Sequence, residues 1–229
     1  MKYDISFVLP MYNEAANIES TLATVSRIAG EICGDYEIIV ADDASTDGCG
    51  DIVETLSVSE PRIKCVRLQK NTKFGGALAA GLRHASKDIV IYTDSDLPVK
   101  EPDIKAALEL LNSADVVTGY SLVIKDSSLK RIIMSKVYNF LVELFFNLKI
   151  RDINSGFKIY RRKAIEGLEL MSRSPFVDVE IFAEIVKRGF RIAQYGLVFE
   201  LRTKGRSSIS RPGVVARTFF DMLKYRIGS

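Results

Sequence analysis

Five short runs dominated by β-branched and other apolar residues recur along the first half of the chain: ISFVLP (5–10), YEIIVA (36–41), IKCVRL (63–68), DIVIYT (88–93) and DVVTG (115–119). Each is almost continuously apolar, the pattern of a strand covered on both faces. Between them, apolar residues return every three or four positions over roughly 14–28, 48–57, 75–86 and 102–112, which predicts helices, the last opened by Pro102. Alternation of this pitch implies right-handed βαβ crossovers, hence an α/β fold with a mainly parallel, doubly wound sheet. The second half is less regular. A wide apolar stripe at 133, 137, 140, 141, 144 and 148 predicts a helix over 127–148. A strand-like FKIY follows, then helices near 161–171 and 178–188, strands around 190–201, and an amphipathic helix over 212–227. In that last helix Ala216, Phe219, Phe220, Leu223 and Ile227 are expected on one face.

In a parallel sheet, ligands collect at the carboxyl ends of the strands. The first four strands end in PMYNE, DDASTDG, QKNTKFGG and DSD, whereas the opposite loops, such as EICGD and SVSEP, read as ordinary turns. Acidic, Gly-rich and Asn-rich segments therefore share one edge. Asp94 and Asp96 stand one residue apart there, and i and i+2 side chains of an extended segment point the same way. Paired carboxylates repel each other unless a cation joins them. Hard divalent ions such as Mg²⁺ or Mn²⁺ take oxygen ligands and, in phosphate chemistry, are held by one or two carboxylates plus the phosphates themselves. The competing reading of an isolated D-x-D is a capped turn.

Composition narrows the classes. The chain's 229 residues, 47% hydrophobic and 27% charged, suffice for one substantial core. A net charge of +3 is too mild to point to nucleic acid. Cys33, Cys49 and Cys65 are odd in number and lack C-x-x-C spacing, which suggests neither a disulfide framework nor a zinc site and fits a reducing, cytoplasmic setting. MKYDISFVLP enters a strand at once, unlike a signal peptide, and no run reaches the roughly 18 apolar residues of a membrane span. Action at a membrane is therefore expected from its surface or through an embedded partner.

Six motifs in order, LPMYNEAANI, IIVADDASTDG, NTKFGGALAAGLRHA, DSDL, DINSGFKIYRR and FELRTKGRSS, resemble those of glycosyltransferase family 2, enzymes of GT-A fold, and within it the polyprenyl-phosphate glycosyltransferases. The resemblance spans about 200 residues. It implies a single domain over 1–210, with a nucleotide-sugar half (1–120) and an acceptor half (121–210), followed by an amphipathic helix over 211–229. It implies an inverting, metal-dependent transfer from a UDP- or GDP-sugar to a polyprenyl or dolichyl phosphate at the cytoplasmic face of a membrane. Pro10, Tyr12 and Glu14 would line the nucleoside pocket, with Asp42 or Asp43 accepting from the base and Lys73, Asp94 and Ser95 also touching the donor. Asp94 and Asp96 would hold Mg²⁺ or Mn²⁺. As an alternative, Asp42 and Asp43 serve a helix N-terminus, a role for which Asp47 is better placed. Two departures stand out: Pro98 occupies the place where many relatives carry a glutamine ligand, and GYS follows the fifth strand where relatives show an arginine.

The acceptor decides what else is needed. A phosphate monoester, with a second pKa near about 6, is already nucleophilic at neutral pH and needs cations to place it. The resemblance assigns that role to Arg131 and Arg202, flanked by Lys204. A saccharide hydroxyl would instead need a general base, for which Asp152, Asp178 and Glu180 are the candidates; Asp152 is also the additional catalytic candidate. His84, the single histidine, falls on the opposite edge and reads as structural. Phe140, Phe145, Phe146, Phe219 and Phe220 beside Lys or Arg suggest helices lying on an anionic membrane. A phosphoacceptor domain or a silent nucleotide-sugar-binding module are the other classes; the first leaves NSGFK and RTKGRSS unexplained, and the second leaves D-x-D unused.

Overall fold

The computed structural model describes residues 3–95, 99–122, 129–198 and 212–228. The strands are β1 (Tyr3–Met11), β2 (Cys33–Asp42), β3 (Ile63–Arg67), β4 (Ile89–Thr93), β5 (Val116–Ser121), β6 (Phe157–Arg161) and β7 (Ile192–Leu197). The helices are α1 (Ile18–Ile32), α2 (Cys49–Ser59), α3 (Lys73–His84), α4 (Glu101–Glu109), α5 (Leu129–Phe146), α6 (Arg162–Ile165), α7 (Val177–Lys187) and α8 (Pro212–Gly228). They build one sheet of order β3-β2-β1-β4-β6-β5-β7. All pairings are parallel except the two made by β6, which runs against β4 and β5.

The alternation of side chains along each strand feeds two cores. Ile5, Phe7 and Leu9 of β1, with Ile38 and Val40 of β2, pack beneath α1, α2 and α4. Val8, Ile39, Val90 and Tyr92 point to the other face, beneath α3, α5, α7 and α8. Both faces of the central strands are thus apolar, which is why their sequences are continuous runs rather than alternating ones. β3 departs from the expectation: it lies at the sheet margin and is only partly buried.

Three further differences have local causes. The helix expected over 161–171 stops after Ile165, since Gly167 adopts φ +69° and breaks the ladder. Beyond it, the chain is held by Glu180, whose carboxylate accepts the N–H groups of Met171 and Ser172. The expected stripe divides: Leu148, just beyond α5, is buried and Leu141 packs against the core, while Val137, Phe140 and Leu144 face outward and Val142, outside the stripe, is the buried residue of α5 among those described. On α8 the inward residues are Thr218 and Met222, not Phe220 and Leu223, and the Tyr225 hydroxyl donates to Glu184 of α7 at 2.8 Å. Phe146 and Phe219 also turn inward, against Phe176 and Tyr138, so the expected surface set is reduced to Phe140, Phe145 and Phe220. Each apolar side chain turned inward in this way contributes on the order of 2 kcal/mol.

β6 matters most for the site. Its insertion beside β4, with Phe157 opposite Thr93, brings the preceding loop, RDINSG, to the carboxyl edge of the parallel strands.

Candidate active site

The loops after β1 and β2 are laced together. The Asn13 N–H donates to Ser45 Oγ at 2.9 Å, and Asn13 Oδ1 accepts from the Thr46 N–H at 2.8 Å. Asp47 takes the Ala15 N–H on one oxygen and the N–H of Cys49, the first residue of α2, on the other, but the cap position itself is Gly48, one residue later than expected. Non-glycine residues with positive φ are costly, and three of the four among the described residues sit at this edge: Asn13 (56°), Ala44 (56°) and Lys73 (65°). Pro10 is the penultimate residue of β1, Tyr12 is half-exposed just beyond the strand, and Glu14 accepts from Asn17 Nδ2 at 2.7 Å.

Asp42 and Asp43 lie at the end of β2, both buried. Asp42 Oδ1 accepts the Ser45 N–H at 3.0 Å; Oδ2 has no hydrogen-bond partner among the described residues and lies 3.6 Å from Arg67 Nε. Asp43 Oδ1 receives both the N–H and the hydroxyl of Thr72, just before Lys73. Burial raises the Asp43 carboxyl above its ordinary range despite these bonds and the nearby Lys73 charge. Ser95 is buried, and its carbonyl accepts the Thr21 hydroxyl, fixing the backbone after β4 to α1.

Asp94 stands at the end of β4 with its N–H bonded to Gly156 O at 3.2 Å and its Oδ1 accepting the Tyr92 hydroxyl at 2.8 Å. A Cβ on Gly156 would lie 2.3 Å from Asp94 Oδ2, so the NSG turn is shaped for this carboxylate. Asp152 lies in the same loop, half-buried. Behind them Asp178 forms an ion pair of 3.0 Å with Lys158, both fully enclosed. Burial pushes the Asp178 carboxyl up to about 6, Lys158 pulls it down, and Asp94 and Asp152 add to the rise. Burial, followed by the charge of Asp94, likewise raises the Tyr92 hydroxyl.

Two of the three candidate bases are therefore corrected. Asp178 is sealed and paired, and Glu180 caps the 171–172 backbone, so of the three only Asp152 is open on the ligand edge. His84 ends α3 on the opposite edge, with Nδ1 2.8 Å from Ala80 O, in the structural position expected. Arg131 belongs to the first turn of α5; its side chain, together with Asp96, Pro98, Arg202 and Lys204, lies outside the described residues. Sequence reasoning assigned nothing to Tyr92 and Lys158. The available signal was a lysine inside the apolar run FKIY, since a lysine is almost never fully buried unless paired.

The glycosyl transferase family 2 model matches residues 6–168. Glycosyltransferase AglD of Haloferax volcanii is 32% identical over 206 residues, covering 86% of this chain and 33% of AglD. Dolichol-phosphate mannosyltransferase of Pyrococcus furiosus is 29% identical, covering 96% of this chain and 62% of that protein. Undecaprenyl-phosphate mannosyltransferase of Micrococcus luteus is 25% identical, covering 97% and 93%. The chain thus spans about a third of the first of these relatives and under two thirds of the second. Among solved structures, glucosyl-3-phosphoglycerate synthase of Mycobacterium tuberculosis with Mn²⁺, UDP and glucosyl-3-phosphoglycerate superposes with a TM-score of 0.72 at 22% identity, covering 99% of this chain and 80% of that one. Mannosyltransferase PcManGT of Pyrobaculum calidifontis, in complex with GDP-Man and Mn²⁺, gives 0.68 at 21% identity, covering 98% and 65%. A family match over most of the chain, on a sheet that superposes on these GT-A structures, establishes that the chain belongs to glycosyl transferase family 2.

Proposed function

We propose that the protein transfers a sugar, with inversion, from a UDP- or GDP-sugar to a polyprenyl or dolichyl phosphate, using Mg²⁺ or Mn²⁺. The observation that carries this reading is Asp94: a carboxylate placed at the end of β4 by Tyr92 and the Gly156 turn, on the edge where the β1 and β2 loops are laced together. Asp94 offers carboxylate oxygens, the ligand type that suits a hard divalent cation. Asp94 and Asp96 would hold it, and when bound it supplies charge neutralisation on the departing nucleotide diphosphate. Tyr12 and Glu14 face the nucleoside, and Asp43, presented by Thr72, is the better-placed acceptor for a base N–H; Asp42 backs it from the interior.

The names of the relatives support a lipid-phosphate acceptor, and so does the burial of Asp178 and Glu180, two of the three candidate bases. A dianionic phosphate attacks without help and needs only cationic placement, for which Arg131, Arg202 and Lys204 are the proposed residues. The exposed apolar side chains of α5 and α8, with Phe140 62% and Phe220 67% exposed, fit a protein resting on the membrane that presents the acceptor. Among the described residues no helix is long and apolar enough to cross a membrane.

The test is transfer of labelled sugar from a panel of UDP- and GDP-sugars into solvent-extractable polyprenyl phosphate, with Mn²⁺ or Mg²⁺ and with EDTA. Metal-dependent label in the lipid phase supports the reading. Label moving only to an added saccharide, and lost in Asp152→Asn, would replace it with the hydroxyl-acceptor reaction and Asp152 as base.

A further inference from the structure

Lys158 is 0% exposed, a costly place for an ammonium, and the family reading gives it no task. It sits midway along β6, in register with Tyr92 of β4 on one side and Thr118 of β5 on the other. Its Nζ donates to Ser155 O at 2.6 Å, pairs with Asp178 at 3.0 Å, and lies 5.0 Å from the Tyr92 ring centroid. Both Tyr92 and the Ser155–Gly156 turn end on Asp94: the tyrosine hydroxyl binds Oδ1, and Gly156 accepts the Asp94 N–H and packs against Oδ2. One enclosed cation therefore stands behind the two structural supports of the same carboxylate. A pair whose only task was to join β6 to α7 would have no reason to hold the turn that cradles Asp94.

We propose that Lys158 is a positioning residue for Asp94: it pins the Ser155–Gly156 turn and the Tyr92 ring and so keeps the carboxylate edge assembled before a cation arrives. Asp178 tethers Lys158 in this place and keeps the interior neutral. The inference rests on the reading of Asp94 as a metal ligand, but its first test does not.

That test is a double-mutant cycle on the full chain in EDTA, which removes any metal from the comparison. Lys158→Met combined with Asp178→Asn removes the pair without stranding a buried charge. Chemical denaturation midpoints are measured for the wild type, the pair variant, Asp94→Asn and the triple variant. Removal of the pair is expected to lower the midpoint clearly in the wild type and distinctly less when Asp94 is already neutral. Additive effects would overturn the proposal, since they would make the pair a structural joint indifferent to Asp94. The second measurement is calorimetric titration with UDP or GDP in the presence of Mn²⁺. The pair variant is expected to bind the nucleotide that the wild type prefers about tenfold more weakly, and unchanged affinity in a folded variant would overturn the proposal. If the wild type itself shows no Mn²⁺-dependent nucleotide binding, the metal reading fails while the EDTA cycle still decides the role of Lys158. Should the pair variant not fold, Lys158→Met alone, cycled against Asp94→Asn, gives the same discrimination, since Asp178, already pushed up to about 6, can take up a proton once Lys158 is gone.

Discussion

Toward the amino edge of the sheet, Glu37 receives hydrogen bonds from Ser6, Lys64 and both the N–H and the hydroxyl of Ser86. Toward the carboxyl edge, Asp42 Oδ2 and the Thr93 and Ser155 hydroxyls are buried with no hydrogen-bond partner among the described residues. The protonation behaviour follows. Burial works to raise the Glu37 carboxyl, but Lys64, Ser6 and Ser86 outweigh it and bring it down to about 2. At the other edge burial prevails, raising Asp43 and carrying Asp178 up to about 6. Both edges enclose carboxylates in the same fold, yet at one the bonds to Glu37 outweigh burial and at the other burial outweighs the bonds to Asp43. Carboxyls raised by burial, positive φ values at Asn13, Ala44 and Lys73, and turns shaped around a carboxylate mark the edge proposed to function.

The largest predicted contrast comes from neutralising one carboxylate on each edge. Asp94→Asn is expected to lower sugar transfer by about 10³-fold at a cost to the fold of no more than about 1 kcal/mol, since an amide of the same shape still accepts the Tyr92 hydroxyl. A variant that lost stability in proportion to activity would make Asp94 a structural residue like Glu37. Next in size is Gly156→Ala, whose Cβ must push Asp94 Oδ2 from a 2.3 Å approach. A displacement on the order of 1 Å at a reacting centre costs about 10²-fold, so turnover should fall by that amount with the variant still folded, as judged by circular dichroism.

Glu37→Gln should do the reverse, costing stability and sparing nucleotide binding. The carboxyl lies below its ordinary 4.5, so its stabilisation is complete above that pH and is lost as the pH falls toward about 2. After allowance for the half-exposed Lys64 partner, the loss at pH 7 is about 2 kcal/mol. Wild-type and variant denaturation curves should therefore separate at pH 7 and converge near the acid limit; a constant gap would remove Glu37's ionisation as the cause. The smallest effect on the fold is expected from Phe140→Ser with Phe220→Ser, within about 0.5 kcal/mol since both rings are exposed, together with reduced co-sedimentation with anionic liposomes. Pelleting equal to the wild type would detach these rings from membrane contact.

The same contrast explains what the sequence could reveal. Strands β1, β2 and β4 and the motifs at their ends were legible because continuous apolar runs and the residues after them are local signals. The insertion of β6 between β4 and β5 leaves no local trace, since pairing partners distant in sequence do not alter the pattern of either strand. For that reason Lys158 and Tyr92 were seen only as strand residues, and Asp178 and Glu180 read as an acidic first turn when both point inward. The short helix α6 was overestimated because Glu166–Met171 has helix-like composition and only the backbone shows Gly167 in the left-handed region. On α5 and α8 the periodicity was correct, but which apolar residues face the core depends on where Met222 and Tyr225 land against α7.

The most direct measurement is isothermal titration of UDP and GDP into the wild type, Asp94→Asn and Glu37→Gln, each with Mn²⁺ and with EDTA. A carboxyl edge built to receive a cation and a diphosphate predicts binding of one nucleotide by the wild type and by Glu37→Gln only when Mn²⁺ is present, and none by Asp94→Asn. Equal binding with Mn²⁺ and with EDTA, or full affinity in Asp94→Asn, would contradict the account.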